Sequence, residues 1–199
     1  MTQASPTGPR VLETRPIKPE KLAHVVIRTR RFAESRQWWA TVLDAAPAYE
    51  NDRLCFMTYD DEHHRIGLIN IPELGDTDPG TNGVEHVAFT YATLGDLLAT
   101  YRRLSAERIA PFWTINHGPT ISMYYRDPDG NKVELQYDVF DRAGVDAFFA
   151  SGAYEENFMG IIFDADDMVR RYEAGEPIGT LTARPPLPPG MGPWDMHRA

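Results

Sequence analysis

The sequence contains very little cysteine, no long apolar run and no basic arm. Cys55 is the one cysteine among 199 residues, so neither an intrachain disulfide nor a cysteine-based zinc site can form, which is typical of the reducing cytoplasm. No 18 apolar residues run together, and the N-terminus has no charged segment followed by an apolar one. We therefore expect a cytoplasmic protein without a membrane span or a signal peptide.

The charge balance excludes another class of partner. Acidic residues outnumber basic ones and give a formal net charge of -9. Nucleic acids and anionic membranes are bound by clustered Lys and Arg, so we expect neither as a partner. The chain is long enough for one domain with a sizeable core, and its 42% hydrophobic and 25% charged residues are ordinary for a soluble globular protein.

Two segments of the chain repeat one order of predicted elements, namely a strand, a helix and three strands. In the first copy these elements cover residues 22–29, 32–43, 48–52, 54–59 and 64–71. In the second copy they cover residues 84–90, 94–104, 112–116, 121–126 and 132–139. A linker with Pro72, Gly75, Pro79 and Gly80 separates the copies. A paired βαβββ repeat predicts an α+β fold in which two half-sheets pack together and leave a cleft.

The flanking segments differ in composition from the repeats. Residues 1–18 are rich in Pro, Ser, Thr and Gly and predict an extended arm, followed by a module over 19–139 with repeats at 19–72 and 82–139. Residues 140–199 predict a helical extension with a Pro-rich tail. Its helices are expected at 145–150 and at 164–174, the second capped by Asp164. The polyproline-like stretch 184–190 packs either on a partner subunit or on the protein's own surface.

A turn at 127–131 leads into the last predicted strand of the second repeat. Along that strand apolar Val133 and Leu135 alternate with polar residues, so Glu134 lies on the face opposite the apolar one. A carboxylate in this position is either solvated on the polar side of a sheet or directed into a cavity.

His24 and His86 occupy corresponding places in the two repeats, 62 residues apart. A single histidine in an apolar strand is usually a core residue, but two at matched positions would face one another across the cleft if the half-sheets pair about a pseudo-twofold axis. The carboxylate of Glu134 could reach the same point. Two neutral imidazoles and one carboxylate are a ligand set that suits divalent iron with open coordination positions.

The fourth position of such a site is missing in the first repeat. Aligning residues 132–135 with residues 65–68, at an offset of 67, places Gly67 where the first repeat would carry the counterpart of Glu134. Three protein ligands leave an octahedral ion three open positions, which is enough for a bidentate substrate and one further small molecule.

With these motifs, residues 21–139 resemble the vicinal oxygen chelate superfamily and, within it, the single-module type I extradiol dioxygenases, which cleave catechol rings. The resemblance implies one module with a curved mixed sheet around a metal cleft. It also implies that His24, His86 and Glu134 bind Fe(II), or Mn(II) as in some members.

The resemblance implies roles for three further residues. His64, in the segment 64–68, corresponds to the family histidine that lies beside dioxygen. Tyr124, ten residues before Glu134, corresponds to the tyrosine that hydrogen-bonds the catecholate. His117 matches a further active-site histidine, although its interval to the tyrosine is shorter than in the best-known members.

The implied reaction is ring opening next to the diol of a catechol, of the size of biphenyl-2,3-diol or smaller, with O2 as the second substrate. The family's habit of assembling implies a homo-oligomer. Two other functions share the scaffold: a glyoxalase-type metal-dependent isomerase or lyase, and a bleomycin-resistance-like binding protein. The missing fourth ligand argues against a glyoxalase-type enzyme, and the predicted metal ligands argue against a binding protein without a metal. Phe112, Trp113 and Phe148 line the pocket or belong to the core.

Overall fold

The computed structural model describes residues 12, 14–78 and 80–198. Most of the predicted arm, residues 1–11 and 13, lies outside them, as does Pro79 of the predicted linker. The strands are β1 (Val25–Thr29), β2 (Ala46–Glu50), β3 (Leu54–Thr58), β4 (Ile66–Asn70), β5 (His86–Tyr91), β6 (Trp113–Asn116), β7 (Thr120–Arg126), β8 (Lys132–Asp138) and β9 (Ile161–Ile162). The helices are α1 (Phe32–Leu43), α2 (Leu94–Ala106), α3 (Arg142–Ala150), α4 (Ala153–Glu156), α5 (Ala165–Glu173) and α6 (Ile178–Thr182).

The strands form two mixed sheets whose repeat strands have the same internal order. The first sheet is β1-β4-β3-β2, and the second is β5-β8-β7-β6-β9. In each sheet the first strand of the repeat lies parallel to the last one, with Val26 opposite Gly67 and Ala88 opposite Glu134. The first strands of the two repeats are thus 62 residues apart (88 minus 26), as His24 and His86 are, and the last strands are 67 residues apart (134 minus 67), as in the predicted alignment. The α+β class and the alignment of Gly67 with Glu134 are therefore confirmed.

One apolar core spans both repeats. It contains Trp39 and Val42 of α1, Leu97 of α2, and Val133 and Leu135 of β8, each at most 1% exposed. Each of these large apolar side chains contributes about 1.5–3 kcal/mol through burial. Because the core side of β8 carries its apolar residues, its polar residues face away from α1 and α2.

The turn before β8 is anchored to the first repeat. Asp127 is buried, and its carboxylate accepts hydrogen bonds from the amide N–H of Asp129 at 3.0 Å, from the amide N–H of Asn131 at 2.8 Å and from Asn131 Nδ2 at 2.8 Å. It also accepts one from Trp39 Nε1 at 3.3 Å. Gly130 has a φ of 89°, a left-handed conformation that favours glycine. This network fixes the point at which β8 begins and hence the position of Glu134 along it.

The C-terminal extension packs on the repeats. Asp164 caps α5 as predicted, accepting from the Asp167 amide at 2.9 Å, and α5 adds Met168 and Val169 to the core. Strand β9 pairs with β6, which extends the second sheet by a strand that is too short to show a periodic pattern in the sequence. The division at residues 18 and 139 stays a prediction.

The Pro-rich tail lies on the protein's own surface. Arg184 donates to the carbonyl oxygens of Ala153, Asn157 and His117 at 2.8, 2.8 and 3.2 Å. Within the described residues, no helix combines the length and apolarity needed to cross a membrane.

Candidate functional site

The face of the second sheet opposite the core carries a row of directly paired residues. Ala88 of β5 pairs with Glu134 of β8, Glu134 with Tyr124 of β7, and Tyr124 with Trp113 of β6. Glu134 and Tyr124 are each only 4% exposed. The interpretation of Glu134 as a solvated surface carboxylate is therefore wrong, because the residue itself is buried.

Glu134 has an imidazole partner on the neighbouring strand. His86 lies two residues before Ala88, on the same face of β5, and its Nε2 is 3.0 Å from Glu134 Oε2. Burial alone would raise the pKa of Glu134, but hydrogen bonds from His86 and Ser122 outweigh it, so the pKa falls below its usual value. The same carboxylate raises the pKa of His86. The pair thus presents a buried carboxylate and an imidazole at one point.

His24 takes a different partner in this structure. It immediately precedes β1, and its ring stacks on His64 with centroids 4.3 Å apart. His64 in turn stacks on Phe56 at 4.6 Å and contacts the adjacent His63. The structure therefore brings His24 to His64 and His86 to Glu134. Across residues 12, 14–78 and 80–198, no three His, Cys, Asp or Glu side chains form a group that could hold a metal ion.

The donor set nevertheless fits a divalent iron or manganese ion in its chemistry. His86 and Glu134 already supply one nitrogen and one buried carboxylate at a single point, and His24 stands at the matching position of the other repeat. The assignment of these three residues as metal ligands stays a prediction.

The place of a fourth ligand is filled by apolar groups. A Cβ built on Gly67 would lie 3.2 Å from Val26 Cγ2 and 3.4 Å from Phe56 Cδ1. A side chain there would press on Val26, whereas its contact with Phe56 would be ordinary. Gly67 itself offers no ligand at this position.

Tyr124 and His117 form a second polar pair on this face. His117 Nε2 lies 3.1 Å from Tyr124 Oη, and His117 Nδ1 contacts the carbonyl of Met159. Burial, and then the charge of Glu134, raises the pKa of Tyr124, so the phenol keeps its proton. Burial lowers the pKa of His117. A protonated phenol beside a neutral imidazole can hold and pass one proton, which is the chemistry the sequence predicted for this pair.

The predicted pocket aromatics divide into two groups. Trp113 stacks on Tyr124 at 4.7 Å, and Phe112 packs on the same apolar cluster. Phe148 instead lies across Gly118 and lines a separate cavity of about 480 Å³ together with Arg184.

Ser122 was missed by the sequence analysis, although it helps to lower the pKa of Glu134. Its place two residues before Tyr124 on one strand could have revealed it, since alternate residues share a face.

Comparisons with known proteins agree with this architecture. Residues 21–135 match the model of the Glyoxalase/Bleomycin resistance protein/Dioxygenase superfamily. A glyoxylase/bleomycin resistance protein/dioxygenase domain from Frankia sp. superposes with a TM-score of 0.51 at 21% identity, covering 61% of this chain and 93% of that one. At this identity the likeness shows the fold alone.

Two curated relatives are more similar in sequence. Biphenyl-2,3-diol 1,2-dioxygenase 2 of Rhodococcus globerulus is 44% identical over 81% of this chain and 86% of its own length. Biphenyl-2,3-diol 1,2-dioxygenase 3 of the same organism is 41% identical over 82% of this chain and 88% of its own length. The predicted resemblance to ring-cleaving dioxygenases is confirmed by these relatives.

Proposed function

Because the chain belongs to the Glyoxalase/Bleomycin resistance protein/Dioxygenase superfamily, we propose that it is a metal-dependent extradiol dioxygenase that opens a catechol ring next to its diol with O2. The observation that carries this proposal is the His86 and Glu134 pair beside Tyr124 and His117, with Glu134 and Tyr124 both buried. Two relatives named for biphenyl-2,3-diol support an aromatic diol as the substrate class.

His24, His86 and Glu134 would hold the ion, which we propose to be Fe(II), with Mn(II) as the alternative that the same ligand types accept. When bound, the ion supplies a chelation point for both diol oxygens and for O2. Ser122, which helps to lower the pKa of Glu134, would orient the carboxylate, as partners of metal ligands commonly do.

Tyr124 and His117 would handle the substrate's protons. Neutral His117 accepts a proton as a diol hydroxyl ionises, and the Tyr124 hydroxyl donates a hydrogen bond to the resulting oxygen anion. The high pKa of Tyr124 keeps it a donor throughout. Trp113, stacked on the Tyr124 ring, holds it in place.

His64 would supply a proton later in the reaction. It adjoins His24 rather than the Tyr124 pair, so it serves the opposite side of the site. Burial, and then the neighbouring His24, lowers its pKa. A neutral histidine in this position can hydrogen-bond an oxygen on which charge develops, and can pass to it a proton that it has first taken up from the ionising diol.

The substrate we propose is a catechol of the size of biphenyl-2,3-diol or smaller. The cytoplasm is the proposed location, since a single cysteine suits a reducing compartment. A homo-oligomer is proposed from the family's habit of assembling.

A panel assay tests the function. Protein loaded anaerobically with Fe(II) is given oxygenated buffer with catechols of increasing bulk, and product formation is followed by the yellow absorbance of a ring-opened semialdehyde or keto acid. We expect a yellow product with at least one catechol, and none from metal-free protein. Metal-loaded protein that leaves every catechol intact but isomerises a hemithioacetal would establish the glyoxalase-type function instead.

A further inference from the structure

Residues 193–198 lie against the predicted active-site face, although they are outside the segment 21–135 that matches the family model. Met196 is 5% exposed and packs in one apolar cluster with Trp113, Ile115 and Tyr124. Its carbonyl oxygen accepts a hydrogen bond from Trp113 Nε1 at 2.9 Å. The C-terminal segment is thus tied to the aromatic ring that stacks on Tyr124.

His197 adds a second contact at Trp113. Its ring lies 5.5 Å from the Trp113 ring, edge to face, and 6.0 Å from the ring of Trp194. Met196 and His197 therefore both cover the Trp113 end of the residue row.

The segment has internal structure that holds it in this position. Residues Pro193–Met196 form a single 3-10 turn, and the Gly192 amide donates to Asp195 Oδ2 at 2.7 Å. Trp194 packs edge to face on Phe158 at 5.2 Å while remaining 70% exposed. A segment fixed by a buried hydrogen bond, a turn and an aromatic contact can act as a wall.

We propose that residues 193–198 form the size-limiting wall of the substrate pocket, with Met196 and His197 closing its Trp113 end. A catechol whose diol oxygens sit between the His86 and Glu134 pair and Tyr124 can direct a substituent along the residue row only as far as Trp113. Met196 and His197 cover that end, so a bulky substituent there meets the wall. This inference rests on the proposed function and adds the residues that set substrate size.

A truncation after Gly190 tests the wall, with full-length Trp194→Phe as its matched control. Both proteins keep the same three tryptophans, Trp38, Trp39 and Trp113. Acrylamide quenching of tryptophan fluorescence then reports whether Trp113 has been uncovered. In parallel, anaerobic titration of the metal-loaded proteins gives Kd for catechol and for biphenyl-2,3-diol.

We expect stronger quenching in the truncated protein. We also expect its Kd for biphenyl-2,3-diol, relative to its Kd for catechol, to fall by about tenfold or more. This is the discrimination that a pocket gains from excluding a small apolar group. Equal quenching in the two proteins would show that the segment does not cover Trp113, and an unchanged ratio with Trp113 uncovered would show that it does not limit size. Either result overturns the proposal.

If the truncated protein does not fold, Met196→Ala replaces it as the test. This variant keeps the backbone carbonyl that accepts the Trp113 hydrogen bond and only shortens the side chain that closes the pocket. The Kd ratio should shift in the same direction, by about threefold or more, as expected for a smaller change of pocket volume. An unchanged ratio in this variant overturns the proposal as well. A shifted ratio in proteins that bind catechols but never consume O2 would instead overturn the proposed function and leave the wall standing.

Discussion

His86 Nε2 lies 3.0 Å from Glu134 Oε2, across two parallel strands that pair Ala88 with Glu134. The first repeat has the same strand pairing, but Gly67 stands opposite Val26 there, and the space is filled by the side chains of Val26 and Phe56. The first repeat therefore has no equivalent of the His86 and Glu134 pair, because a glycine stands at the place of Glu134. On this asymmetry we propose a single three-ligand site rather than two equivalent sites.

Replacing Glu134 by Gln should remove tight metal binding, because the variant keeps the shape of the side chain but loses the anionic ligand. We expect the affinity for Fe(II) to fall by about 100-fold or more, which is beyond the usual effect of changing a residue that only orients a ligand. The measurement is the iron content of anaerobically reconstituted protein after gel filtration. Glu85→Gln is the matched control, since it removes an exposed carboxylate next to His86 that pairs with Lys132. Equal iron content in Glu134→Gln and the parent would show that the ligand assignment is wrong.

His64→Phe should retain metal and catechol binding while slowing turnover by about 100-fold or more, the usual contribution of a positioned acid or base. An aromatic ring at residue 64 preserves the stacking on Phe56 and His24 but cannot supply a proton. Single-turnover kinetics under saturating O2 provide the readout. His63→Phe is the control, because the His63 side chain is 69% exposed. Full turnover by the His64 variant would remove this residue from the mechanism.

The pKa of His117 predicts a pH-dependent contribution to stability. Burial lowers that pKa, so the folded protein binds fewer protons than the unfolded chain between the folded value and the ordinary value of about 6.5. The contribution is therefore complete above about pH 6.5 and is lost as the pH falls below it. In metal-free protein, the difference in unfolding free energy between the parent and His117→Gln should shift against the parent as the pH falls from about 8 to about 5. Urea unfolding across this range measures it, and a difference that stays constant contradicts the burial of a neutral imidazole.

Asp127→Ala should destabilise the protein by about 2–4 kcal/mol, because it leaves two backbone amides of the turn and the indole N–H of Trp39 without their acceptor. Urea unfolding of metal-free protein gives this value. Asp129→Ala is the control, since it removes one hydrogen bond to Ser35 and keeps the backbone of the turn. A loss no larger than that of the control would show that Asp127 does not anchor β8.

The sequence predicted the elements that have strong periodicity. Both repeats were recognised because the order of a strand, a helix and three strands recurs with a histidine at the same place in each copy, and the register of Val26 and Ala88 confirms that alignment. Glu134 was placed on the correct face by the apolar alternation of its strand. A helix with a capping Asp and a terminating Gly, such as α5, was also recognisable.

Side-chain partners and short elements were beyond sequence reasoning. The stacking of His24 on His64 depends on rotamers, which no spacing reveals. Strand β9 has only two residues, and Met196 reaches Trp113 from 83 positions away. Phe148 and Trp113 are both aromatic, so composition could not show that only Trp113 stacks on Tyr124.

Oxygen uptake is the most direct test of the proposed ring cleavage. Protein reconstituted anaerobically with Fe(II) is mixed with a limiting amount of biphenyl-2,3-diol in an oxygen electrode, and the yellow product is recorded at the same time. We expect one O2 to be consumed for each diol converted, and uptake to be lost in Glu134→Gln and kept in Glu85→Gln. Iron-loaded protein that binds the diol without consuming O2 would contradict the proposal.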